Sequence, residues 1–220
     1  MAKKRKGLIG MLDERFDFMD YVEKEVFDHP VPPRLNFMYC FGGITFFLFC
    51  LLCFTGILMA AYYVPSPETA YASVEYLQYE VTAGSLIRGV HHWSANLMIV
   101  FICLHMIRIV ITGSYKKPME FHWISGVILF LFTLGFGFTG YLLPWNMRAY
   151  WASKVGIGMA DTVPMVGDVT ASLIRGGDPL GALTLSRFFA THVIYLPILT
   201  LLFLGLHFIM IRKTGVADPL

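Results

Sequence analysis

Four long apolar stretches, separated by polar connections, dominate the chain. A helix needs about 20 apolar residues to cross roughly 30 Å of hydrocarbon, and each stretch is long enough. They cover residues 38–63, 86–112, 122–145 and 188–211. Aromatic residues stand near their ends, as is typical of helices that meet the membrane interface: Tyr62, Tyr63, Trp93, Trp123, Tyr141 and Trp145. The pattern predicts an all-α membrane protein with four transmembrane helices, forming a single domain over 1–220.

Two other segments have amphipathic patterns. In the N-terminal segment 1–37, residues 8–29 repeat apolar positions at intervals of three, four or seven, with acidic residues between them. This predicts an amphipathic helix that lies in the membrane interface or packs on a partner. The connection 146–187 contains AYWASKVGIGM and VGDVTASLIRGG, which predict short helices on the membrane surface. A connection this long usually has a function, such as forming part of a site.

Basic residues are concentrated in the N-terminus, in the connection after the second stretch and in the C-terminus. They are Lys3, Lys4, Arg5, Lys6, Arg108, Lys116, Lys117, Arg212 and Lys213. With four spans these segments share one side, which the positive-inside rule makes cytoplasmic or its equivalent. We call it the negative side and the opposite one the positive side. The connections 64–85 and 146–187 are therefore predicted on the positive side.

The composition agrees with a membrane protein. Hydrophobic residues make up 56% of the chain and charged residues 15%, whereas a soluble domain has about a quarter of its residues charged. The formal net charge of +2 is too small to indicate a nucleic-acid partner.

Two of the spans carry a pair of histidines. Fourteen residues separate His91 from His105, and fifteen separate His192 from His207. Four helical turns take about 14.4 residues, so each pair leaves one helix face about 21 Å apart. Because both spans run from the positive to the negative side, we predict the pairs His91–His192 and His105–His207. The alternative is four satisfied core histidines, which the cost of polar groups inside a membrane disfavours.

The other two spans repeat the same interval with glycine. Fourteen residues separate Gly42 from Gly56, and the same number separate Gly126 from Gly140. Glycine lets the flat edge of a macrocycle approach the backbone, although glycines in membrane helices also serve helix packing alone. Haem is the natural ligand, because two imidazoles leave its iron six-coordinate and suited to electron transfer.

Several residues near the histidines fit this interpretation. Arg88 and Arg108 each stand three residues from a histidine and are predicted to neutralise haem propionates, although Arg108 also fits the positive-inside pattern. His92 does not share the face of His105 and is expected to meet a partner, a propionate or the headgroups.

The cysteines Cys40, Cys50, Cys53 and Cys103 lie in or beside apolar stretches, and from position alone they are interpreted as packing residues. Cys50 and Cys53 are followed by Phe54, where attachment of a c-type haem needs histidine.

The ordered motifs resemble a known family. They are HHW, the histidine spacings of fourteen and fifteen, YCFGGIT, YKKP, GYLLPW and the ending IRKTGVADPL. From about Asp28 to Leu220 the chain is similar to cytochrome b of the quinol-oxidising bc complexes, and most of all to the short, four-helix cytochrome b6 type. YLQYEV and the HHW pair are similar to Gram-positive members that use menaquinol.

The resemblance implies cofactors. His91 and His192 would hold the low-potential haem b, and His105 and His207 the high-potential haem b. Cys40 matches the cysteine that holds an additional c-type haem through one thioether bond, beside the quinone site of the negative side. Arg212 lies where the family handles quinone on that side.

The resemblance also implies a quinol-oxidation pocket on the positive side. Tyr150, Trp151, Ala152 and Val155 match the surface helix that forms part of it. Asn146 and Ala152 depart from the residues of many relatives, which puts the role of the first and the inhibitor binding of the second in doubt. The family's Pro-Glu-Trp-Tyr motif is absent from the chain and lies on a companion three-helix subunit in split systems.

The chain is therefore expected to be an electron-transfer subunit of a quinol:cytochrome c or plastocyanin oxidoreductase, inactive alone, in a bacterial or thylakoid-type membrane. Its expected partners are the companion subunit, a Rieske iron–sulfur protein and a subunit of cytochrome c or f type, in a homodimeric complex. The alternatives are a di-haem anchor of a membrane dehydrogenase and a transporter with a histidine proton relay.

Overall fold

A computed structural model describes residues 37–177 and 179–215, and every regular element within those ranges is helical. The helices are α1 (Cys40–Ala60, preceded by a 3-10 turn at Phe37–Tyr39), α2 (Ala70–Tyr79), α3 (Gly84–Ile111), α4 (Glu120–Leu142), α5 (Met147–Asp161), α6 (Gly167–Arg175), α7 (Ala182–Ala190) and α8 (Leu196–Thr214). A π-helical turn at Thr191–Tyr195 joins α7 to α8. The predicted N-terminal amphipathic helix lies outside the described residues.

The four predicted membrane spans are confirmed as helices long and apolar enough to cross a bilayer. Their bounds are Phe37–Ala60, Gly84–Ile111, Glu120–Leu142 and Ala182–Thr214. Large apolar side chains face outward along them; Phe47 is 64% exposed and Ile57 72%. Such exposure is costly in water and favourable in lipid, so the chain is an integral membrane protein.

The fourth span begins at Ala182, six residues before the apolar pattern indicated. Ser186 and Arg187 interrupt the hydrophobic stretch there. The helix nevertheless forms, because Thr184 Oγ1 accepts a hydrogen bond from Gly181 N at 3.2 Å near its start. The connection 64–85 also contains α2, a helix that the sequence pattern did not predict.

Two pairs of neighbouring helices form the bundle, α1 with α3 and α4 with α8. Midway along α1 and α3, the buried side chains of Leu48, Phe49 and Met98 form an apolar cluster, against which Phe136 of α4 and Leu204 of α8 pack. Met98 is seven residues from both His91 and His105. The cluster therefore lies at the midpoint between the two histidine levels.

A second cluster lies at the C-terminal end of α4, the end predicted to lie on the positive side, where α5, α6 and α7 meet. Its buried members are Leu142, Ile157, Ala171 and Phe188. Nearby, the Tyr63 hydroxyl donates a hydrogen bond to the Leu143 carbonyl at 2.6 Å. Burial raises the pKa of Tyr63, so its hydroxyl remains a donor at neutral pH.

Candidate functional site

The structure brings His91 of α3 and His192 together. Their ring centres lie 6.4 Å apart and their planes meet at 61°. Imidazole nitrogens bind metals at about 2 Å, so two rings on opposite sides of one metal have centres roughly 6 Å apart. The observed separation therefore leaves room for one metal centre between the rings.

A third imidazole, that of His122, lies at the level of His105 and His207, and the sequence pattern did not predict it. His105 lies close enough to His207 to interact with it electrostatically. His122 of α4 also approaches His207, with ring centres 6.4 Å apart. His122 Nε2 lies 2.9 Å from Thr214 Oγ1. That hydroxyl donates to the Met210 carbonyl at 3.1 Å, so His122 is the donor in their hydrogen bond.

Every one of the four paired histidines faces a glycine on the neighbouring helix. A methyl group added at Gly42 would lie 3.1 Å from His105, and one at Gly56 would lie 3.3 Å from His91. On the other helix pair the distances would be 3.7 Å from Gly126 to His207 and 2.7 Å from Gly140 to His192. The glycines therefore make room for the imidazole rings themselves. From the sequence they are expected to make room for the edge of the macrocycle.

Three of these imidazoles also bond a hydroxyl through Nδ1. His91 Nδ1 lies 2.8 Å from Thr55 Oγ1. The corresponding distances are 3.0 Å for His192 and Thr139, and 2.7 Å for His207 and Ser125.

The hydroxyls determine which ring nitrogen carries the proton. Each donates its own hydrogen to a carbonyl of its helix, as Thr55 does to Leu51 at 2.8 Å and Thr139 to Gly135 at 2.7 Å. Each therefore accepts from the imidazole, which assigns the proton to Nδ1 and leaves the Nε2 lone pair free for a metal. Such outer hydrogen bonds orient metal-binding histidines and raise their basicity.

A sequence signal for these hydroxyls exists. Thr55, Ser125 and Thr139 each stand directly before one of the four glycines, so a hydroxyl residue precedes three of the four. The fourth glycine, Gly42, follows Phe41 instead. The glycine makes space for the ring and the preceding residue holds its Nδ1–H.

The donor set fits haem. Among the described residues, no three His, Cys, Asp or Glu side chains come together around a possible metal ion. A bare ion is usually held by three or four protein ligands. Two neutral imidazoles, each with Nε2 free, suit instead a metal whose remaining ligands come from a planar macrocycle.

Arg108 is buried near the start of α1. It is 5% exposed, and its guanidinium carbon lies 3.8 Å from the centre of the Tyr39 ring. Its Nε and Nη2 have no hydrogen-bond partner among the described residues. Cys40, the next residue after Tyr39, has a free and exposed thiol. A buried cation with unused donors fits an anionic group such as a propionate.

The two other predicted arginines lie at the surface. Arg88 is exposed and donates a hydrogen bond to Gln78 Oε1 at 2.8 Å, which ties α3 to α2. Arg212 is exposed in the last turn of α8. His92 is also exposed, with its Nε2 3.4 Å from the side-chain amide of Asn96.

The four predicted pocket residues on α5 do not share one face. Ala152 packs against the positive-side apolar cluster, whereas Trp151 is 51% exposed and Val155 60%. The Tyr150 ring lies 5.9 Å from Trp145 and 5.7 Å from Trp151. Asn146 is the N-cap of the helix, and its side chain accepts a hydrogen bond from Ala149 N at 2.9 Å. This capping bond gives Asn146, a position where the chain departs from the family pattern, a structural role.

The chain is similar in sequence and structure to known cytochromes b. A family model described as Cytochrome b/b6/petB matches residues 26–215. Cytochrome b6 of Heliobacterium modesticaldum is 46% identical over 210 residues, covering 95% of this chain and 99% of the relative. The menaquinol:cytochrome c reductase cytochrome b subunit of Bacillus subtilis is 46% identical over 217 residues, covering 95% and 96%.

A solved structure described as a hyperthermophilic respiratory Complex III aligns with a TM-score of 0.85 at 27% identity. The alignment covers 96% of this chain and 56% of that chain. This chain therefore spans little more than half the length of that chain. With the family model matching most of the sequence, the chain belongs to the cytochrome b/b6 family of electron-transport proteins.

Proposed function

We propose that the chain is the cytochrome b subunit of a quinol:cytochrome c (or plastocyanin) oxidoreductase. Its family implies haem b as the cofactor. In the proposed reaction quinol is oxidised at the positive side and releases two protons and two electrons. One electron passes to an iron–sulfur protein, and the other crosses the membrane to a quinone at the negative side. Two turnovers deliver the two electrons with which that quinone takes up two protons.

The observation that carries this proposal is the pairing of imidazoles at two levels of one bundle. His91 and His192 lie 6.4 Å apart between rings, and each faces a glycine on the neighbouring helix. His105 and His207, fourteen and fifteen positions further along their helices, also each face a glycine, Gly42 and Gly126 respectively. Four turns of helix separate the levels by about 21 Å, which supports two haems b stacked across the membrane.

The residues of the chain bind and orient these groups. His91 and His192 would hold the outer haem b, and His105 and His207 the inner one. Thr55, Thr139 and Ser125 keep the proton on Nδ1 and direct Nε2 toward the metal. Haem b held by two imidazoles supplies one-electron transfer and has no open position for oxygen. Arg108 would neutralise a propionate with its unpartnered donors.

An additional c-type haem at Cys40 is part of the proposal. Cys40 is exposed at the start of α1 and follows Tyr39, the residue on whose ring Arg108 lies. A thiol that opens outward is accessible to a macrocycle bound outside the bundle. We expect haem that persists on a denaturing gel in the native chain and is absent from the Cys40→Ala variant. A native chain that loses all haem on the gel would show that Cys40 carries none.

The positive-side pocket is proposed to need a second subunit. Trp151 and Val155 on α5 are exposed, so a companion chain packed there would complete the pocket around Tyr150 and Ala152. The full set of partners then comprises the three-helix companion, a Rieske iron–sulfur protein and a cytochrome c or f type subunit. On the opposite side we assign the quinone site to the region of Arg212.

A spectrum of the purified protein tests the function. We expect a b-type α band in the reduced-minus-oxidised spectrum, reduced by added quinol in the intact complex. A histidine-relay transporter would have no pigment. A di-haem anchor would also have the band, but it needs no pocket on α5, so substitutions there would not change the reduction of its haems by quinol. A protein without the b-type band contradicts the proposal.

A further inference from the structure

The two helices that carry histidine pairs do not have the same spacing. Fourteen residues separate His91 from His105, and both pairs of facing glycines share that interval, but fifteen separate His192 from His207. In a regular α-helix one extra residue rotates a side chain by about 100° and moves it by about 1.5 Å. Yet His192 lies against Gly140 and His207 against Gly126. Something in the helix between them must absorb one residue.

The π-helical turn at Thr191–Tyr195 absorbs it. The backbone N–H of Leu196 donates to the Thr191 carbonyl, five residues earlier, instead of to the carbonyl four residues earlier. One wider turn of this kind accommodates a single inserted residue within an otherwise α-helical segment. The fifteen residues from His192 to His207 therefore rise by about as much as the fourteen from His91 to His105 in α3. The two histidines of each pair then lie on one face of their helix.

Pro197 explains why the wide turn lies here. It stands in the first turn of α8, directly after the π turn. Proline has no N–H to donate, and in a regular helix its ring clashes with the carbonyl four residues before it, here that of Val193. Widening the preceding turn relieves that clash. The proline thus favours the π turn at the position of His192.

We propose that Pro197 and the π turn are positioning elements that set the orientation of His192 as a haem ligand. The inference rests on the proposed function. His192 makes the tightest glycine approach of the four, 2.7 Å from a methyl at Gly140. Its Nδ1 bonds Thr139 at 3.0 Å, and the Phe136 ring lies 5.5 Å away. A rotation of about 100° would remove all three contacts.

Two deletions that both shorten the histidine spacing by one residue test the idea. Deleting Ile194 together with Pro197→Ala removes the wide turn, so the resulting regular helix keeps both histidines in register. Deleting Leu201, an outward-facing residue of α8 that is 57% exposed, leaves the wide turn and Pro197 in place. The register between His192 and His207 is then lost. Both deleted side chains face outward, which matches the two variants.

The measurement is haem b per chain in the intact complex in isolated membranes, with the two components resolved by redox titration. We expect two haems b in the first variant and one in the second. Equal haem content in the two variants overturns the inference. If the first variant fails to accumulate, the single substitution Pro197→Ala tests the inference instead. It should shift the midpoint potential of the outer haem and leave that of the inner haem unchanged, and two unchanged potentials overturn the inference. A wild-type chain without haem b would instead overturn the proposed function.

Discussion

The four glycines differ in how closely they let the histidines approach. An added methyl would lie 2.7 Å from His192 at Gly140 but 3.7 Å from His207 at Gly126. The first distance is a severe overlap with a rigid ring, and the second is an ordinary van der Waals contact. Overlaps in a packed interior cost about 1–3 kcal/mol and displace the side chains that meet them. The two positions therefore form a matched pair within α4.

Gly140→Ala is expected to remove or displace the outer haem, because the new methyl pushes the His192 ring away from its partner. Gly126→Ala, on the same helix, should keep the inner haem. The two haem components can be counted by redox titration of isolated membranes. Loss of the same component in both variants would mean that the glycines act through general helix packing.

Thr139→Val removes the hydroxyl that accepts from His192 Nδ1 and keeps the shape of the side chain. The imidazole becomes less basic, so oxidised iron is less stabilised and the midpoint potential of the outer haem should rise. Binding of that haem should weaken by about 10–100-fold. The control is Thr133→Val, because the Thr133 hydroxyl donates only to the Leu129 carbonyl at 3.0 Å. An unchanged potential in Thr139→Val would refute this role.

At the residue scale, the spacing and the basic connections predict which histidines pair, and the shared interval identifies the four glycines, but not that each glycine faces a histidine ring. Helical geometry is regular enough for a repeated four-turn interval to carry that information. The third imidazole, His122, could not be found in this way, since it approaches His207 only through the packing of α4 on α8. The hydroxyls could have been found from the repeated Thr-Gly and Ser-Gly dipeptides.

The short surface helices are held by contacts between elements rather than by strong propensities of their own. Arg187 of α7 donates hydrogen bonds to the Leu173 carbonyl and, at 3.4 Å, to the Ser172 carbonyl near the end of α6. Gly176 then ends α6 in the left-handed conformation, with φ of 76°. A cation at a helix C-terminus satisfies free carbonyls and opposes the helix dipole.

Arg187→Ala should destabilise α6 by about 1 kcal/mol, since it removes exposed, charge-assisted hydrogen bonds. Amide hydrogen exchange across Gly167–Arg175 should then be several-fold faster in the variant. Arg148→Ala on α5, also exposed, serves as the control. Equal protection of α6 in the two variants would exclude this anchoring role.

At the element scale, the apolar pattern predicts the spans but not every bound. It misses α2, which is tied to α3 through Arg88 and Gln78, and the first turns of α7, where Thr184 accepts a hydrogen bond from Gly181 N. Neither segment is a continuous apolar stretch. It also gives no sign of the π turn, which follows from the combination of Pro197 and an extra residue between the histidines.

On the scale of the whole molecule, a four-turn interval governs both helix pairs. Fourteen or fifteen residues separate the members of each histidine pair and each glycine pair, so the two sites stack along the bundle with an apolar cluster between them. The direction of that axis across the membrane follows from the basic connections. The connection 112–119 is expected on the negative side and 61–69 on the positive side.

Single cysteines introduced at exposed positions test this orientation. In intact cells or spheroplasts, a membrane-impermeant maleimide should label Glu68→Cys but not Lys117→Cys. In inverted vesicles the labelling should be reversed. The native chain, which already has exposed Cys40 and Cys50, provides the background in both preparations. Labelling of Lys117→Cys from outside would invert the assigned topology.

The central claim is that the chain holds two haems b, one at each level of histidines. A haem-resolved redox titration of the intact complex, in native, His91→Ala and His105→Ala forms, tests it most directly. The native complex should show two b components per chain. His91→Ala should lose the outer component alone and His105→Ala the inner component alone. Loss of the same component in both variants, or a native chain without two b components, would contradict the account.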